Sequence, residues 1–139
     1  MLNGANGSGD QATTQDVVEL RLPAEPAYLS VLRTATAGLA ARLDFTLDEI
    51  EDLRIAVDEA CGMLLPDTTP GEPLVCRFVL DWDCLEVSVL AHSRSGRPPA
   101  RDSFAWTVLT ALAGEVEASA QDGAVTVTLR KRRGWSESA

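Results

Sequence analysis

Two adjacent carboxylates, Asp58 and Glu59, stand inside the segment 46–65, TLDEIEDLRIAVDEACGMLL. Paired acids can divide general-acid and general-base work, but consecutive helical residues point about 100° apart and cannot face one substrate. Taken by itself Glu59 reads as a solvated surface acid unless the rest of the chain gives it a role, and Asp52, nearest its helical face, reads as a solvated acid too. Met63 follows one turn later, beside Glu59. A Ser/His/Asp arrangement would need His92 at its centre, because the chain has one histidine. The same count rules out multi-histidine metal sites. Cys61, Cys76 and Cys84 are odd in number, lie in apolar segments and lack CxxC spacing, so they read as buried free thiols. There is no GxGxxG and no GxxxxGK(S/T), and Gly96, Gly114 and Gly123 are too widely spaced to form a phosphate cradle. On its chemistry alone the chain reads as a binding module rather than an enzyme.

The elements that must position these residues are legible from periodicity. Thr46 with Glu49 has the form of a capping box and starts a helix over 46–65, which Pro66 ends. Ile50, Leu53, Val57, Ala60, Cys61 and Leu64 fall on one face, and Glu59 lies roughly opposite them. Upstream, residues 17–22 alternate as a half-buried strand, and 27–43 form a helix with the stripe Leu29, Leu32, Thr36, Leu39 and Leu43. Arg33 sits on the flank of that stripe. Downstream, 74–80 and 85–91 form an antiparallel hairpin across Asp81-Trp82-Asp83-Cys84. Residues 103–118 read as a third helix, capped by Ser103, with Phe104, Val108, Leu112 and Val116 inward. Gln121-Asp122-Gly123 turns into a strand over 124–131. The order β-α-α-β-β-α-β predicts an α+β two-layer sandwich, a mixed, mostly antiparallel sheet with helices on one face.

The 139 residues fit one domain over 16–133, with a disordered polar tail at 1–15 and a second tail at 134–139. No apolar run approaches the about 18–20 residues that span a bilayer, and the N-terminus lacks a signal pattern, so the expectation is a cytoplasmic protein with no membrane role. A net charge of −9 argues against nucleic acid as a direct partner. The one basic run, Arg130-Lys131-Arg132-Arg133, reads as a solvated strand end. The acidic bulk suits a basic protein partner.

A strand, a helix carrying Arg33 ahead of Leu43-Asp44, and the helix fragment RIAVDEAC (54–61) resemble the anti-sigma factor and serine-kinase family of the RsbW type, within the histidine-kinase-like ATPase fold. The resemblance covers roughly 17–131, is strongest over 28–65 and returns in 103–116, where it looks like the actinobacterial branch. The family motif E-x-x-x-N supplies a general base and a magnesium ligand; Glu59 matches the first, and Met63 stands at the second. A thioether is a poor ligand for a hard cation. In the family's D-x-G-x-G motif the aspartate binds adenine and the glycines admit the nucleotide; here Ala91, Ser93 and Ser95 occupy those positions. RPPARDSFAW replaces the glycine-rich lid.

The resemblance thus implies an anti-sigma factor that sequesters an alternative, stress or developmental sigma factor and is released by a STAS-domain antagonist, with Arg33 at the partner surface. It also implies a homodimer. The departures imply weak or lost nucleotide binding, with no cofactor. The alternative is an active serine kinase that phosphorylates its STAS-domain antagonist with ATP and magnesium, Glu59 acting as base.

Overall fold

A computed structural model describes residues 15–134. The expected tails at 1–15 and 134–139 fall outside these residues except for Gln15 and Gly134. The elements are β1 (Asp16–Leu22), a 3₁₀ turn (Pro26–Tyr28), α1 (Leu29–Arg42), α2 (Leu47–Leu64), a second 3₁₀ turn (Leu65–Asp67), β2 (Leu74–Leu80), β3 (Cys84–His92), α3 (Phe104–Ala113), β4 (Glu115–Gln121) and β5 (Ala124–Arg132). The sheet order is β1-β2-β3-β5-β4, and every pairing is antiparallel.

The α+β class stands as expected, with one more strand. Residues 115–118, assigned to the third helix by sequence, belong to β4. Gly114, at φ 94, is a conformation that a side chain resists, and it closes α3 at Ala113. EVEASAQ then alternates against β5, and Asp122 and Gly123, at φ 53 and 81, make the tight two-residue turn between them. The face of α3 also differs from the expected stripe. Trp106, Leu109 and Ala113 point inward, while Phe104 is 83% exposed. Val116 leaves the helix altogether and pairs with Leu129.

One face of the sheet is apolar because the registers align its inward residues into rows. Leu22, Leu74, Ala91 and Val125 form one row; Leu20, Cys76, Val89 and Val127 form the next; Val18, Phe78, Val87 and Leu129 form a third. The opposite face carries Arg77, Glu86, Ser88, Thr128 and Arg130. The helices therefore have one side to cover. The core joins these rows to Leu32 of α1, Leu53, Val57, Ala60 and Cys61 of α2, and Leu109 of α3. Truncating a side chain as enclosed as Leu53 costs about 2–5 kcal/mol.

α2 packs against both other helices, and both its start and the end of the helix before it are specified. Thr46 Oγ1 accepts the Glu49 N–H at 3.1 Å, and Glu49 Oε1 accepts the Thr46 N–H at 2.8 Å, so the capping box is complete. The preceding helix ends in a Schellman arrangement. The Phe45 N–H reaches the Ala40 carbonyl and the Asp44 N–H reaches that of Ala41, with Asp44 at φ 62 and Phe45 buried behind it.

Candidate functional site

Four of the predicted site residues meet. Met63 from the last turn of α2, Ala91 near the end of β3, and Ser93 and Ser95 just beyond it line one cavity of about 210 Å³. Leu64, Asp67, Arg97, Pro98, Pro99 and Val125 complete the wall. The convergence follows from the sheet: β3 runs beneath α2, so its end delivers residues 91–95 beside the helix terminus. Ala91 is 1% exposed and offers a methyl group where an acceptor would be needed to read a base.

Glu59 is not among the lining residues. It is half-buried on α2 and makes no hydrogen bond or ion pair among the described residues. Arg33 lies on α1, away from the cavity, and its Nη1 contacts both oxygens of Asp58 at 3.2 and 3.1 Å. The pair is about one-third exposed on each side, so it ties α1 to α2 while leaving the guanidinium reachable from solvent.

Sequence reasoning missed Asp67, which it left inside a turn-rich loop. Its Oδ2 accepts from Ser93 Oγ at 2.6 Å and Ser95 Oγ at 2.5 Å. Hydrogen bonds from those two hydroxyls hold its carboxyl below the usual range, with the Ser95 N–H and the Arg94 guanidinium adding to the effect. No local signal announces this role, because the partners lie 26 and 28 residues away.

The basic run Arg130 to Arg133 is not the solvated strand end expected from sequence. Arg130 bonds Glu86 at 2.6 Å and Glu115 at 2.9 Å. Lys131 is 2% exposed, donates to the Leu112 carbonyl at 2.7 Å and lies 3.7 Å from Asp52. Arg132 lies 3.9 Å from Asp83, and Arg133 donates to the Leu43 carbonyl at 2.8 Å. Strand alternation turns Lys131 inward under α3, acids on neighbouring elements collect Arg130 and Arg132, and backbone carbonyls collect Arg133.

The chemistry of the cavity is set by what its walls offer. Magnesium requires oxygen ligands in near-octahedral array, whereas Met63 presents sulfur, and among the described residues no cluster of three or more His, Cys, Asp or Glu is placed to hold a metal. The one carboxylate, Asp67, is committed to serines. The volume lies below the about 300–1,000 Å³ of ordinary small-molecule sites. A larger cleft of about 520 Å³ opens between residues 21–25 and the loop 68–73, and none of the predicted site residues lines it. All three cysteines are buried and free, and no helix among the described residues is long and apolar enough to cross a membrane.

No protein-family model matches the chain. Among curated proteins it is similar to a serine-protein kinase RsbW from Bacillus velezensis, 43% identical over 82 residues, which is 56% of this chain and 51% of the relative. A serine-protein kinase RsbW from Listeria monocytogenes is 38% identical over 87 residues, 60% of this chain and 55% of the relative. The chain thus spans about half the length of the curated relatives it matches. A crystal structure of the RsbU and RsbW domains of Rv1364c from Mycobacterium tuberculosis superposes with a TM-score of 0.70 at 18% identity, covering 85% of this chain and 32% of that one, and so shares its fold. In sequence the chain is thus similar to part of the RsbW serine-protein kinases, and in fold to a structure that contains an RsbW domain.

Proposed function

We propose that this protein works by binding, as an anti-sigma factor that sequesters an alternative sigma factor and is released by a STAS-domain antagonist, with nucleotide binding weak or lost. One observation carries the reading. Met63, Ala91, Ser93 and Ser95, the positions where the family's motifs would hold ATP and magnesium, do line one cavity, but that cavity is about 210 Å³ and its only carboxylate is engaged by its own serines. Phosphoryl transfer depends on a metal that bridges and neutralises the phosphates. Nothing on these walls favours such a metal. Glu59, the general base of the kinase alternative, lies outside the lining and has no hydrogen-bond or ion-pair partner among the described residues.

Binding to a protein needs only a surface. Arg33 is the candidate contact on α1, held by Asp58 and still about one-third exposed. A guanidinium fixed by one carboxylate retains donors for a second. Calorimetric titration with ATP and magnesium, run beside a pull-down of the cognate sigma factor, separates the two activities. The binding reading expects no heat at millimolar nucleotide and a complex that Arg33→Glu weakens. Phosphorylation of the antagonist by the wild type, abolished by Glu59→Ala, would establish the kinase instead.

A further inference from the structure

The loop after β3 directs an unusual number of donors at one carboxylate. Ser93 Oγ and Ser95 Oγ both donate to Asp67 Oδ2, and the Ser95 N–H adds a bond of 3.3 Å. An ionised carboxylate only accepts, so each hydroxyl spends its single proton on Asp67. The hydroxyl lone pairs then accept from the backbone: the Gly96 N–H reaches Ser93 Oγ at 2.9 Å, and the Arg97 N–H reaches Ser95 Oγ at 3.2 Å. Gly96 at φ 70 makes the turn that brings these amides round. Arg94 adds charge, its Nε lying 4.0 Å from Asp67 Oδ1 while its Nη2 donates to the Pro66 carbonyl. The Arg97 side chain lines the same cavity and has no partner among the described residues.

Two hydroxyls and the Ser95 amide turned towards one point, with the Arg94 guanidinium beside them and the Gly96 and Arg97 amides orienting the hydroxyls from behind, are a donor set that receives an oxyanion. We infer that residues 93–97 form an oxyanion-binding nest whose resident ligand is the chain's own Asp67 carboxylate, and that removing this carboxylate opens the nest to an external carboxylate or phosphate. The lowered pKa of the Asp67 carboxyl agrees with a carboxylate held as an anion by these donors. The inference concerns what fills the cavity and does not depend on whether the partner is a sigma factor. It also accounts for the strap between the end of α2 and the end of β3, which the Arg94 N–H to Asp67 carbonyl and Thr69 N–H to His92 carbonyl bonds reinforce.

The test is anion rescue. In Asp67→Ala, amide hydrogen exchange at Ser95, Gly96 and Arg97 is measured in sodium chloride, sodium acetate and sodium phosphate at matched ionic strength. The expected result is exchange at least about tenfold faster than wild type in chloride, with protection largely restored by acetate or phosphate and wild type indifferent to either. Phosphate acting alone would mark a tetrahedral site, and acetate acting alone a planar one; either supports the nest. Asp67→Asn, which keeps one acceptor oxygen without charge, should lose less protection and regain none. Unchanged protection in Asp67→Ala overturns the inference, as does a loss that neither anion repairs or a variant unfolded in all three salts. Titration of wild type with ATP tests the nucleotide reading separately, because the nest can be real whichever way that titration falls.

Discussion

Glu49→Gln removes a charge from the head of α2 and leaves the side-chain shape intact. In the native chain Oε1 accepts the Thr46 N–H at 2.8 Å and Oε2 accepts the Gly134 N–H at 2.6 Å, with the residue 9% exposed. A carboxylate serves both donors. A glutamine amide has one acceptor oxygen, so its NH₂ must turn towards one of the two N–H groups and replace a bond with a donor–donor contact. Losing one bond to a charged acceptor, with its N–H left unsatisfied in an enclosed place, costs about 1.5–3 kcal/mol. For a domain of this size that lowers the melting temperature by about 5–15 °C.

The pH dependence has a definite sign. Burial pushes the Glu49 carboxyl up, but the backbone bonds from Thr46 and Gly134, with the Thr46 hydroxyl and Lys131 assisting, outweigh it and leave a net depression. A depressed folded value means that the carboxylate's contribution is complete above its unfolded pKa, about 4.3, and is lost as pH falls through the lower folded value. Urea unfolding of wild type and variant should therefore differ by a constant amount between about pH 6 and 8 and begin to converge only below about pH 4. A difference under about 0.5 kcal/mol at neutral pH, or one that persists undiminished to about pH 3, would refute the reasoning.

Three further outcomes follow from burial and pairing. Burial pushes the Cys61 thiol up to about 12 and the Cys76 thiol up to about 11. A thiolate-selective reagent at about pH 8 should leave both unlabelled until denaturant is added, and rapid labelling of the folded protein would contradict their placement. Trp106→Ala, at a residue 8% exposed, should cost about 3–5 kcal/mol, whereas Phe104→Ala, 83% exposed, should stay within about 0.5 kcal/mol; equal losses in chemical denaturation would mean that α3 is rotated. A double-mutant cycle on Arg33 and Asp58 should give a coupling of about 0.2–1 kcal/mol that shrinks with added salt, since both side chains are about one-third exposed.

Local rules were the legible part of this fold. The Thr46–Glu49 box spans three residues and the α2 stripe a few turns, so both could be read before any tertiary contact was known. β4 was legible in principle. Gly114 marks a stop, Val116, Ala118 and Ala120 alternate with polar residues, and Asp122-Gly123 is a strong hairpin signal. The helical spacing of Val116 with Leu112 competed with that alternation, and pairing to β5 decided the outcome. The inward face of α3 was lost for a related reason, because Phe104 and Trp106 are both large and apolar and only the position of the helix over the sheet selects Trp106. The candidate site divides in the same way. Met63, Ala91, Ser93 and Ser95 were brought together by the resemblance to the RsbW-type motifs, whereas Asp67 and the partners of Arg130 to Arg133 depend on contacts across the sheet that no window of sequence contains.

Fastening at both ends of α2 bears directly on what such a domain can do. At its start, Glu49 clamps the chain beyond β5 through Gly134. At its finish, Asp67 clamps the loop beyond β3 through Ser93 and Ser95. Between these points the Arg33–Asp58 pair fixes α1 to the same helix. A binding domain gains from the same rigidity, since ordering its surface in advance lowers the entropic cost of association. Such a clasp would suit the proposed binding role, and Asp67 is the residue whose removal should show whether the two ends of α2 act as one unit. If they do, Asp67→Ala raises amide exchange in the 93–97 loop and along the last turn of α2 together; exchange confined to the loop would show that the helix holds without it.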